Sequence, residues 1–166
     1  MLNRLTVLAG LVSLPFVASA SLLYLDWDTR LPNGTATRIN ADSGTIEHYM
    51  AQIKHLPNGG RTIQFTHMSS IFDICSDREF VVDEPYDELF TINGIRIQMA
   101  AVCRDKTKSG RRDLVYMTAT PKNEEDLELV VNAFTKGKNV LVLFPIDTTN
   151  GSVDFNAMGF SAAWNK

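Results

Sequence analysis

Asn93-Gly94, set between the apolar runs Leu89 to Ile92 and Ile95 to Cys103, limits the fold more than any other dipeptide in the chain. A two-residue type I′ turn needs φ > 0 at both central positions, which Asn and Gly tolerate best. The pair therefore predicts a β-hairpin and, with it, antiparallel pairing. Asn150-Gly151 makes a second tight turn into Val153-Asp154-Phe155. Further strands are expected at Ser21 to Asp28, over the alternating Thr62 to Met68, and at Leu114 to Ala119. Asn139 to Phe144 (NVLVLF) is a nearly continuous apolar run, which reads as a central strand.

Two helices are expected between the strands. Asp42 and Ser43 are N-cap candidates for the first, over residues 44–56, where Ile46, Tyr49, Met50, Ile53 and Leu56 recur at helical spacing. Pro57-Asn58-Gly59-Gly60 stops it. Pro121 opens the second, over residues 122–136. Its first turn carries Glu124, Glu125 and Asp126, where the helix dipole favours anions. Its apolar face is Leu127, Val130, Val131 and Phe134, and Gly137 ends it. The expected class is α+β: mainly antiparallel β-sheet or sandwich with two helices packed on it and one disulfide.

The N-terminus has the three parts of a cleavable secretory signal peptide over residues 1–20. Arg4 supplies the positive end, Leu5 to Val17 the apolar stretch, and Ala18-Ser19-Ala20 the small residues of a peptidase site. This 13-residue stretch, with Pro15 in it, falls short of the roughly 20 apolar residues that a spanning helix needs, so no transmembrane anchor is expected after processing. Residues 21–166 then read as one globular domain, periplasmic or secreted. Without Arg4, 15 basic side chains face 19 acidic ones, a net charge of −4 that gives no reason to invoke nucleic acid. Cys75 and Cys103 are the only cysteines. An even count in an oxidising compartment favours one disulfide, worth roughly 3–4 kcal/mol for a loop of this length in the chain-entropy model.

Catalytic signals are sparse. On a helix, His48 and His55 would share a face about 10.5 Å apart, too far for one zinc. His67 lies on a strand with Asp73 and Ser69-Ser70 nearby, a conceivable hydrolase set. However, no G-x-S-x-G or S-x-x-K motif accompanies it, and Ser161 lacks an elbow's second glycine. No catalytic, metal or cofactor site is assigned. The charged segments say more. Asp73, Asp77, Glu79, Asp83, Glu84, Asp87 and Glu88 crowd 16 residues, and Arg104, Lys106, Lys108, Arg111 and Arg112 form a basic loop beyond the hairpin. The acids could bind Ca²⁺, but they show no EF-hand spacing, and a partner's basic surface suits them better. The basic loop could touch an anionic envelope surface, and it lacks the interleaved aromatics of a nucleic-acid site. The two segments could also face each other.

At the C-terminus, Gly137, the strand Val140 to Phe144, a turn, Phe155 and then Gly159-Phe160-Ser161-Ala162-Ala163 resemble the ending of small periplasmic proteins of the invasion-associated locus B type. The resemblance covers under a quarter of the mature chain. It implies a β-sandwich closed by this element, and a periplasmic, non-catalytic role with no active-site residues. Independently of it, Phe155, Phe160 and Trp164 read as core anchors, and Gly159 as the site of a backbone turn.

The expected function is therefore that of a non-enzymatic bacterial envelope protein that binds a protein partner in an inhibitor, immunity or exclusion-like role, or that takes part in envelope or host interaction. Asp83, Glu84, Asp87, Glu88, Arg104, Lys106, Lys108, Arg111 and Arg112 are its candidate contact residues. The alternatives are a small periplasmic hydrolase using His67, Asp73 and a serine, and a structural adaptor of an envelope complex.

Overall fold

A computed structural model describes residues 23–25, 27, 35–42, 45–69, 83–105, 115–145 and 151–166. The signal segment, Asp73, Cys75, Asp77, Glu79, Lys106, Lys108, Arg111 and Arg112 lie outside these residues.

The antiparallel expectation holds throughout. In chain order the strands are β1 (Leu23–Leu25), β2 (Thr35–Asp42), β3 (Thr45–His55), β4 (Arg61–Ser69), β5 (Pro85–Ile92), β6 (Ile95–Asp105), β7 (Val115–Pro121), β8 (Asn139–Leu143) and β9 (Ser152–Asn156). Helix α1 (Glu124–Lys136) precedes β8, and the short α2 (Phe160–Trp164) follows β9. The described strands form one sheet in the order β1-β2-β3-β4-β7-β6-β5-β8-β9, with every pair antiparallel. This single sheet replaces the second layer of a sandwich. It curls until β1 and β2 approach β9, which makes it nearly a barrel. Asn93-Gly94 turns β5 into β6 as expected, both residues at positive φ (48° and 84°).

The helix expected over residues 44–56 does not form: Thr45–His55 are strand β3, paired with β2 on one side and β4 on the other. Asp42, expected as a cap, instead pairs with Thr45 across the β2–β3 ladder, and Ser43 lies outside the described residues. β2 itself was not foreseen. The continuous run of β8 is buried on one face only, through Val140 and Val142, while Leu141 and Leu143 are exposed. The second helix is present, but Pro121 ends β7 and Asn123 caps α1. The Asn123 Oδ1 accepts the Asp126 N–H at 2.9 Å, and its Nδ2 donates to Asp126 Oδ2 at 2.6 Å.

The strand directions divide the molecule into two unlike ends. One is closed: the 56–60 turn, the Asn93-Gly94 turn, α1 and α2 all lie there. α1 enters from the end of β7 and leaves into β8, and it packs on β4, β6, β7, β8 and α2. Phe134 of α1 meets Phe65, Phe155, Phe160 and Trp27 at ring separations of 5.2–6.4 Å. Tilted and edge contacts of this kind add to the area they bury. Phe155 and Phe160 are core residues, whereas Trp164 is half-buried. Gly159 has φ 84°, and a Cβ there would come 2.9 Å from the Trp27 carbonyl oxygen. At the other end β4 and β6 finish and β5 and β7 begin. Connections 70–84, 106–114 and 144–151 all leave from it.

Candidate functional site

Residues directly opposite in register share a face of the sheet, so the ladders assign the interior side chains to layers. Tyr49 pairs with His67, His67 with Met117, and Met117 with Cys103. All four are buried, and they form the interior layer nearest the loop end. The next layer inward holds Ala51, Phe65, Ala119 and Ala101 in the same way. Three alanines on neighbouring strands leave room that Phe144 fills from the end of β8. Its ring lies 5.1 Å from Tyr49, 5.8 Å from His67, 6.2 Å from Phe65 and 5.0 Å from Phe90. Small residues facing large ones give the interdigitation a dense core requires.

His67 is the chemically unusual member of this site. It is only 1 % exposed, and neither ring nitrogen has a hydrogen-bond partner among the described residues. Its ring stacks on Tyr49 at 4.4 Å and 4°. Burial disfavours the imidazolium and lowers the pKa from 6.5 to about 4, so the ring is neutral near pH 7. Above the stack, the Tyr49 hydroxyl donates to Glu47 Oε2 at 2.6 Å. No carboxylate orients the His67 ring among the described residues, which is the contact a Ser-His-acid arrangement depends on. Asp73 lies outside them.

The other histidines are dispersed. Seven residues apart on a strand rather than a helix, His48 and His55 point to opposite faces. His48 is half-buried with Nε2 unpartnered, and burial lowers its pKa; His55 is exposed at the closed end. Among the described residues, no three of His, Cys, Asp and Glu gather as a metal site. Ser161 is exposed on α2, and its carbonyl accepts the Asn165 N–H.

At the rim, the two charged segments meet. Arg104 Nη1 donates to Asp83 Oδ1 at 2.9 Å, and the Asp83 N–H donates to the Cys103 carbonyl at 2.9 Å. Asp87, on the outer face of β5, pairs with Lys122. Both ion pairs are solvated, so each contributes at most about 1 kcal/mol. Glu84 is exposed and Glu88 half-buried. Cys103 is buried, with the Tyr86 hydroxyl 3.7 Å from its Sγ. No local pattern marks Tyr49, Glu47, Met117 or Phe144 as part of this site: strand register brings Tyr49 and Met117 beside His67, curling of the sheet brings Phe144, and Glu47 joins through the Tyr49 hydroxyl.

Comparison with family models, with curated proteins and with solved structures finds no match for this chain. No helix among the described residues is long and apolar enough to cross a membrane.

Proposed function

We propose that the mature chain is a non-enzymatic protein of the bacterial envelope, periplasmic or secreted, that holds a protein partner at the loop end of its barrel. One observation carries this reading: connections 70–84 and 106–114, which bear most of the chain's clustered acid and base, leave from one end, while helices and tight turns seal the other. Function concentrates on loops set on a rigid scaffold. Acidic and basic segments that leave from one end and meet at Asp83 and Arg104 suit a partner of mixed charge, such as a protein to be inhibited or neutralised. The sealed, neutral His67 also favours binding over hydrolysis, since a general base must reach a substrate proton. The resemblance to the invasion-associated locus B type points to the same compartment. We also propose that Cys75 and Cys103 are joined. Cys103 is buried on the inner face of β6, and Cys75 lies in connection 70–84, which begins and ends at the same end of the sheet.

The test is capture from periplasmic extract, read by quantitative mass spectrometry. Reversing Asp83, Glu84, Asp87 and Glu88 together should weaken capture by about tenfold while the circular dichroism spectrum is kept. Reversing Arg111 and Arg112 should act alike, and added salt should mimic both changes. His67→Ala should leave capture intact. Loss of function in His67→Ala, with both charge reversals behaving as wild type, would instead support the hydrolase reading.

A further inference from the structure

At the closed end, away from the charged rim, a groove of about 350 Å³ runs between α1 and the β5–β6 hairpin. That size lies within the range of small-molecule sites, about 300–1,000 Å³. The floor is Ile92 and Ile97, both in the core. The walls are Ile95, 49 % exposed, with Leu129 and Ala133 of α1, both half-buried. α1 turns Val130 and Phe134 into the barrel, so Leu129 and Ala133 lie on a second stripe that the sheet leaves partly open.

The groove's polar lining is Asn93, Asn132 and Lys136, of which Asn93 and Lys136 are exposed, and it favours one sign of charge. Lys136 is its only charged lining residue, and no ion pair engages it among the described residues. Glu128 lies eight residues away on the helix, about 12 Å along its axis, and does not neutralise it. Lys138 is exposed just beyond. Asn93 accepts the Leu141 N–H on its Oδ1, which leaves its Nδ2 hydrogens as donors. Asn132 completes the edge. A continuous apolar floor with a cation and amide donors at the mouth complements a carboxylate on an aliphatic tail. A cationic amphiphile would meet Lys136 directly, and a neutral one would leave it unused.

We propose that this groove binds a free aliphatic carboxylate of medium chain length, with the tail on Ile92, Ile95, Ile97, Leu129 and Ala133 and the carboxylate at Lys136. The site is independent of the rim that the partner-binding reading uses. The probe is decanoate below its micellar concentration, titrated into the isotope-labelled mature protein by NMR alongside decanol, decyltrimethylammonium and a short peptide ending in a free Leu carboxylate. Decanoate should shift the amides of Ile95, Leu129, Asn132 and Lys136 with saturation, decanol should bind about three- to tenfold more weakly, and the ammonium should not saturate. Lys136→Glu should weaken decanoate by about tenfold or more with the spectrum otherwise unchanged, and exposed Ile95→Ser should also weaken it. Four results would each overturn the proposal: no saturable shift, shifts confined to other parts of the barrel, equal binding of decanol and decanoate with no effect of Lys136→Glu, or tighter binding of the peptide, which would make this a peptide-terminus site. Charge reversal at the rim should leave decanoate affinity unchanged.

Discussion

His67 places an ionisable ring in the core, 1 % exposed and with no hydrogen-bond partner for its charged form among the described residues. The native state therefore prefers the neutral ring, with a pKa of about 4, while the unfolded chain protonates near 6.5. The unfolded state binds the extra proton between those values, so stability is undiminished above pH 6.5 and falls as pH drops toward 4. The full loss attributable to this ring is roughly 3 kcal/mol. His67→Phe keeps a flat ring against Tyr49 and removes two unpartnered nitrogens. It should match or exceed wild-type stability near pH 7 and lose about 2.5 kcal/mol less by about pH 4.5 in urea unfolding. Parallel acid limbs in the two proteins would count against this account.

At the scale of elements, α1 depends on a reciprocal cap. Asn123 and Asp126 bind each other's amide and carboxylate, and Asp126 is buried, so the side chains close the helix start against the base of the barrel. Asn123→Ala should lower stability by about 1–2 kcal/mol in chemical denaturation, with β-sheet content unchanged. The sequence announced α1 and the β5–β6 hairpin because each carries its own local signal, cap and dipole in one and turn chemistry in the other. β3 carried a misleading one. Tyr49, Ala51 and Ile53 face inward with period two, but Met50 is half-buried on the outer face. An apolar residue on each side makes Ile46, Tyr49, Met50 and Ile53 fit a helix equally well. β2 has Ile39 as its only large apolar residue between Thr35 and Asp42, so no alternation marks it. The interior site was illegible for a different reason. Tyr49, His67, Met117 and Cys103 are neighbours only through three strand registers, which no local pattern encodes.

For the whole molecule, the proposed bond between Cys75 and Cys103 would tie connection 70–84 to the upper part of β6, beside the Asp83 backbone bond to Cys103. Thiol alkylation of the unreduced protein should label neither cysteine, and Cys103→Ala should cost about 2–5 kcal/mol of stability. Two labelled thiols would reject the bond.

The curl of the sheet also sets a timetable. Its seam brings β1 and β2, near the start of the chain, against β9, and Trp27 against Phe160 of α2. Contacts of β1 and β2 with β9 cannot form until β9 has emerged, and pairings of such long sequence separation are slow to find one another. Synthesis alone thus leaves the ring open, with half-built strands exposed to chaperones until α2 is made.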